Sequence, residues 1–140
     1  MNRTPSTNMQ TVLHYYAIPT GAEVGTALDT QQYDNGHAVF IMMVGNLQAT
    51  PASAATLISI TECETSGGTY TAITGADFTD ITTANDGAIQ VASLRLQPRM
   101  RYLKFAVTGG GANDAEISVI AQLIGASESS KNADAYVFEV

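Results

Sequence analysis

The sequence has one cysteine, no tryptophan, few charges and no long apolar run. With Cys63 as the single cysteine in 140 residues, no internal disulfide can form and no cysteine-based metal site can be assembled. The longest apolar run, residues 38–44, is far shorter than the ~20 residues of a membrane-spanning helix, which excludes a helical span. The polar N-terminus lacks the apolar stretch of a secretory signal, so we expect the protein to be made and kept in the cytosol.

Positive charge is also scarce. The formal net charge is −7, which disfavours nucleic acid and anionic membranes as partners. Four of the six basic residues nevertheless fall within ten positions, at Arg95, Arg99, Arg101 and Lys104. One interpretation is solvated strand ends, and the other is a positive face that docks on an acidic protein surface. Arg99 and Arg101 are the preferred docking residues, because guanidinium groups pair well with carboxylates.

The residues that are abundant favour strands and turns. Thr, Ala, Gly, Ser, Val and Ile dominate, and glycine clusters separate short apolar or alternating segments. We predict an all-β protein, an antiparallel β-sandwich of eight or nine short strands with a jelly roll as the favoured variant. Residues 1–11 are predicted to be a flexible arm, residues 12–125 the sandwich domain, and residues 126–140 a polar spacer with a last strand.

Several local predictions accompany this fold. The apolar run 38–44 is typical of a strand buried on both faces. Segments 56–64 and 69–74 are predicted to form one hairpin, and segments 100–108 and 115–124 a second. The last segment, Tyr136 to Val140, is apolar and must find a sheet edge, its own or that of a neighbouring subunit. Tyr136 and Phe138 are therefore further docking candidates.

No residue pattern indicates catalysis. His14 and His37 lie in predicted strands without metal-ligand spacing, and Cys63 stands between two glutamates that disfavour its thiolate. A weak calcium site is conceivable among three loop carboxylates, although loop aspartates more often stabilise turns. These carboxylates are Asp77, Asp80 and Asp86. We therefore predict a protein that is not an enzyme and that carries no cofactor.

The order of segments carries a family resemblance. A polar arm is followed by residues 27–34 leading into the apolar strand 38–44, then by 60–71, and finally by 99–105 before a glycine loop and another strand. In this order and composition the chain resembles the capsid cement, or decoration, proteins of tailed bacteriophages, which have a β-sandwich or jelly-roll fold. The resemblance implies a homodimer on the outer surface of the virion capsid. There it would clamp neighbouring copies of the major capsid protein.

Two other functions share these sequence features. A tail, baseplate or fibre subunit of the virion would have the same composition and strand pattern. A carbohydrate-binding module would stack sugars on aromatic side chains, although tryptophan and a secretion signal are missing. The chain offers six tyrosines for this purpose: Tyr15, Tyr16, Tyr33, Tyr70, Tyr102 and Tyr136.

Overall fold

Nine antiparallel strands form the protein in the computed structural model, which describes residues 9–33, 36–45, 55–82, 87–110 and 115–125. The strands are β1 (Met9–Ala17), β2 (Ala22–Val24), β3 (Leu28–Asp29), β4 (His37–Val44), β5 (Ala55–Cys63), β6 (Thr71–Asp77), β7 (Ile89–Arg95), β8 (Tyr102–Gly109) and β9 (Ile117–Ile124). One short 3-10 turn, Gln31–Tyr33, precedes β4. Within the described ranges, no helix has the length and apolarity needed to cross a membrane.

The strands form two packed sheets. Sheet A has the order β1-β9-β4-β7, and sheet B has the order β2-β8-β5-β6, with β3 also paired to β8. If β2 and β3 count as one interrupted strand, the strands pair from the two ends of the chain inward. Strand β1 pairs with β9, β2 with β8, β4 with β7, and β5 with β6. This doubled-over ribbon, wrapped into two sheets, is a jelly roll. The predicted all-β sandwich is confirmed.

The core lies between the sheets and is built by alternation along the strands. Four residues of β9 are fully buried, and they face the buried residues of β8 across the sandwich. Phe40 of sheet A and Phe105 of sheet B are the largest fully buried side chains. Because side chains alternate between the faces of a strand, one apolar residue in two suffices to fill this interior.

One predicted hairpin is confirmed and the other is wrong. Strands β5 and β6 pair as expected for segments 56–64 and 69–74. Segments 100–108 and 115–124, however, become β8 and β9, which lie in different sheets. Strand β8 pairs with β2, β3 and β5, whereas β9 pairs with β1 and β4. Alternation along a strand determines which side chains share a face, but it holds no information about the hydrogen-bonding partner of the strand.

The first strand is longer than predicted. Strand β1 begins at Met9 and pairs with β9 from that residue onward, so residues 9–11 of the predicted arm are part of sheet A. The rest of the arm, residues 1–8, lies outside the described residues, as does the whole segment 126–140.

Candidate functional site

The outward side of sheet A is unusually apolar. Its residues form four rows that each cross the strands in the order β1, β9, β4, β7. The rows are Met9–Ile124–His37–Arg95, Thr11–Gln122–Val39–Ser93, Leu13–Ile120–Ile41–Val91 and Tyr16–Ser118–Met43–Ile89. We call these sixteen residues the sheet A face. All of them are partly or largely exposed in the described structure.

An aliphatic stripe crosses the centre of this face. The third row has only branched aliphatic side chains, and Leu13 and Val91 at its two ends are 68% and 60% exposed. Five of the eight large apolar side chains that are exposed in the described chain belong to the sheet A face: Met9, Leu13, Tyr16, Ile89 and Val91. The solvent side of an antiparallel sheet is normally polar, and contiguous exposed apolar patches mark interaction sites.

The charge of the face differs from that of the whole chain. None of its sixteen residues is acidic, although the chain carries thirteen acidic residues. Its charged group is Arg95, which lies beside His37 at one end. At the opposite end Tyr16 donates a hydrogen bond to the Glu116 carboxylate, which raises the tyrosine pKa. A partner that covers this face therefore does not have to desolvate a carboxylate within it.

The outward side of sheet B has a more ordinary surface. Its central positions on β5 and β8 are mostly small or polar, and they include the half-buried Ala106 and the buried Ser59 and Thr61. Lys104 lies on the same side, with its Nζ 4.2 Å from the centre of the Tyr70 ring. The two sheets thus present different chemistry to solvent, and sheet A presents the apolar side.

The four clustered basic residues do not form one face. Arg95 is on the sheet A face, whereas Lys104 lies on the opposite side of the sandwich. Arg99 pairs with Glu62 at 3.4 Å, in the loop between β7 and β8. The structure separates these side chains because β7 and β8 belong to different sheets.

Arg101 has a carboxylate partner within the chain. Its Nε and Nη2 donate to the two carboxylate oxygens of Asp29 at 3.0 and 2.8 Å. This hydrogen bonding lowers the pKa of Asp29 and raises the pKa of Arg101. The guanidinium–carboxylate pairing that suggested docking on a partner is thus made within the chain, where it holds β3 against the start of β8. The other docking candidates, Tyr136 and Phe138, lie outside the described residues.

His14 links the two sheets. Its Nε2 accepts a hydrogen bond of 3.0 Å from the backbone N–H of Phe105 in sheet B, and its ring meets the edge of Phe40. Burial lowers the pKa of His14 to about 4, so the ring is neutral at pH 7 with its proton on Nδ1. Strand β2 ends at Val24 and β3 begins at Leu28, so on that edge of β8 the Phe105 N–H has no strand partner and donates to His14, whereas the Phe105 carbonyl accepts from Gly25.

The carboxylates considered for calcium are only partly described. Asp77 and Asp80 line an open groove of about 400 Å³ together with Leu57 and Phe78, and Asp86 lies outside the described residues. Within the described ranges, no three His, Cys, Asp or Glu side chains come together as a metal-binding group. Leu57 is 76% exposed at a positive φ of 51°, beside the irregular register of β5 with β8.

The tyrosines proposed for sugar stacking are dispersed. Tyr15 and Tyr33 are buried, and Tyr16 is hydrogen-bonded at one end of the sheet A face. Tyr70 and Tyr102 have cationic groups over their rings, and Tyr136 lies outside the described residues. Tyr70 and Tyr102 are neighbours, since Tyr102 contributes to raising the pKa of Tyr70, but the five described tyrosines do not share one platform.

Sequence reasoning missed the sheet A face because it assigned both sides of the run 38–44 to the interior. In the structure Ala38, Phe40 and Met42 are buried, whereas Val39 and Ile41 point outward and are half-buried. The continuous apolar run was the available signal, since an apolar outward side has the same sequence pattern as a buried one. Comparison with known protein families and with curated proteins gives no match for this chain.

Proposed function

We propose that this protein is a structural virion subunit that binds other protein surfaces through the sheet A face. The observation that supports this proposal is the acid-free, largely apolar outward side of sheet A, with its aliphatic stripe from Leu13 to Val91. Surfaces of this kind gain free energy when a partner removes them from water. The sandwich holds the face on four paired strands, so docking requires little ordering of this part of the chain.

The partner that we propose is the major capsid protein, on the outer surface of a bacteriophage capsid. This choice follows from the resemblance of the sequence to capsid cement proteins. The partner surface would be apolar at its centre and would place an acidic group opposite Arg95, which is the charged residue of the sheet A face.

The size of the face indicates how such attachment would work. Four strands about 4.8 Å apart and eight residues long span roughly 500 Å², less than the ~800 Å² per partner that stable interfaces bury. One copy would therefore bind weakly. A homodimer, which is also part of this proposal, would present two faces to a repeating shell and convert weak contacts into firm attachment.

Co-sedimentation tests the proposal with a matched pair of variants. Val91 on the sheet A face and Val24 on β2 of sheet B are 60% and 57% exposed, so Val91→Glu and Val24→Glu add the same charge to equally accessible strand positions. Each variant is mixed with capsids that lack the protein, prepared from the phage whose genome encodes it. Bound copies are then counted over a range of concentrations.

We expect the unmodified protein to saturate the capsids at a fixed ratio to the major capsid protein. Val24→Glu should bind as the unmodified protein does, and Val91→Glu should need at least tenfold more protein for half-saturation. Equal binding of both variants would refute docking through the sheet A face. No binding of any form to capsids, with binding to isolated tails, would support a tail subunit instead.

A further inference from the structure

The free edge of β7 differs from the other sheet edges. Strand β1 contains a bulge between Leu13 and Tyr15, and its side of the sandwich is closed by the hydrogen bond that the Phe105 N–H of β8 donates to His14. Strands β2 and β3 have three and two residues. Strand β6 contains Gly75 at φ 84° and shifts its register with β5. Bulges, short strands and irregular backbone all protect an edge from pairing with further strands.

Strand β7 has no bulge and is not short, although it has a side-chain link to the segment that follows β6 of sheet B, since Gln90 accepts from the N–H of Thr79 and donates to its C=O. It pairs with β4 in unbroken register over seven residues, from Ile89 to Arg95, without proline or glycine. Within the described ranges, no strand pairs with its other edge. Ile89 and Val91 on this strand are 66% and 60% exposed, and its one charged residue, Arg95, stands at its end. A long, regular and apolar edge of this kind is a template for another strand.

We propose that residues 136–140 of the same chain occupy this edge as an antiparallel strand. Their sequence, Tyr-Val-Phe-Glu-Val, consists almost entirely of residues that favour strands. The added strand would make β7 an interior strand and would pair its outward backbone N–H and C=O groups. Tyr136 and Phe138 would then serve a contact within the chain rather than a contact with a partner protein.

The direction of the chain fits this arrangement. Strands β7 and β9 are both antiparallel to β4, so they run parallel to each other, and Ile124 and Arg95 lie in the same row at one end of sheet A. The chain leaves β9 at that end. A segment that turns back there and passes beside β7 runs antiparallel to it.

The length of the intervening segment is also sufficient. The edge position beyond β7 lies three strand spacings from β9, or about 14 Å. The eleven residues 125–135 can span up to ~36 Å when extended, which leaves enough chain for the reversal. A short tether also gives the tail an effective concentration of the order of millimolar at its own edge. We therefore place the strand on its own molecule rather than on a second copy.

Cysteine cross-linking in the full-length chain tests the proposal. Cys63 is replaced by alanine so that no native thiol remains, and Ser93→Cys marks the middle of β7. This marker is combined in turn with one cysteine at each position from 136 to 140, since a disulfide forms only between close Cα atoms. Thr74→Cys on β6, an equally exposed edge position of the other sheet, provides the matched control series.

After mild oxidation, we expect at least one Ser93 pair to form a disulfide in more than half of the molecules. The product should be monomeric, and its yield should not change over a hundredfold range of protein concentration. The Thr74 series should form at least fivefold less. Cross-linked dimers whose yield rises with concentration would place the tail on a second copy and overturn the proposal. Equal or negligible yields in both series would overturn it as well.

A second measurement does not depend on disulfide geometry. Hydrogen exchange of the β7 amides is compared between the unmodified protein and Val137→Pro and Phe138→Pro, with Asn132→Pro in the spacer as control. Proline removes a ladder donor, so at least one tail variant should speed exchange in β7 at least tenfold while β6 stays unchanged. Unchanged exchange in both tail variants would refute the proposal. Neither experiment involves a capsid, so the result is independent of the proposed function.

Discussion

Mild acid should weaken the fold through His14. The ring is 7% exposed, and its Nε2 accepts a hydrogen bond from the backbone of Phe105, so the folded protein holds the neutral form. Burial lowers the pKa of His14 from 6.5 to about 4 in the folded state. The unfolded chain therefore takes up a proton at a higher pH than the folded chain does, and protonation favours unfolding.

The size of the effect follows from this difference in pKa. The stabilising contribution of neutral His14 is complete above pH 6.5 and falls as the pH drops toward 4, by about 1.4 kcal/mol per pH unit. Between pH 7.5 and pH 4.5 the free energy of unfolding should decrease by about 2.5 kcal/mol from this group. Well below pH 4 both states are protonated, and His14 causes no further loss.

Urea unfolding at pH 7.5, 6.0 and 4.5 measures this contribution. The variant His14→Gln keeps a side-chain oxygen that can accept from the Phe105 amide but does not titrate, so its stability should vary less with pH by about 2.5 kcal/mol over the range. The exposed His37→Gln is the control and should follow the unmodified protein. If His14→Gln loses as much stability on acidification as the unmodified protein does, the reasoning is refuted.

Three further predictions concern close contacts in the described fold. A Cβ on Gly25 would lie 2.5 Å from the His14 Nε2, so Gly25→Ala should displace the His14 ring. The pKa of the displaced ring should rise toward 6.5. NMR titration measures this pKa, and an unchanged titration would contradict the prediction. A Cβ on Gly109 would meet a backbone carbonyl at 1.9 Å, whereas one at Gly21 meets nothing within 4 Å. Gly109→Ala should therefore lower the free energy of unfolding by more than about 2 kcal/mol and Gly21→Ala by less than about 0.5, and equal losses in urea titrations would be inconsistent with the packing. Because Cys63 is 8% exposed, its thiol should react with a thiol-specific reagent at least a hundredfold more slowly in the native protein than in urea. Similar rates would show that the reagent reaches Cys63 in the native protein.

The sequence by itself determined the fold class and many of the buried faces. Alternation from 101 to 107 and from 117 to 123 places Leu103, Phe105 and Val107 on one side of their strand and the four inward residues of β9 on one side of theirs, and these are core residues in the structure. These assignments succeed because the period of two is a local property of an extended backbone. The first hairpin was also predictable, because β5 and β6 are joined by a short turn at 66–68 and lie in one sheet.

Only the tertiary structure decided how the strands other than β5 and β6 pair and which apolar side remains in water. Strands β8 and β9 have the pattern of a hairpin but join opposite sheets, since the choice of partner depends on contacts that are distant in the chain. The same applies to the run 38–44, where burial on one side comes from sheet B and the other side has no covering layer among the described residues. The basic residues 95–104 were separated because the chain changes sheets between β7 and β8. Local pattern thus determined the faces of single strands, whereas the packing of the two sheets determined the candidate docking surface.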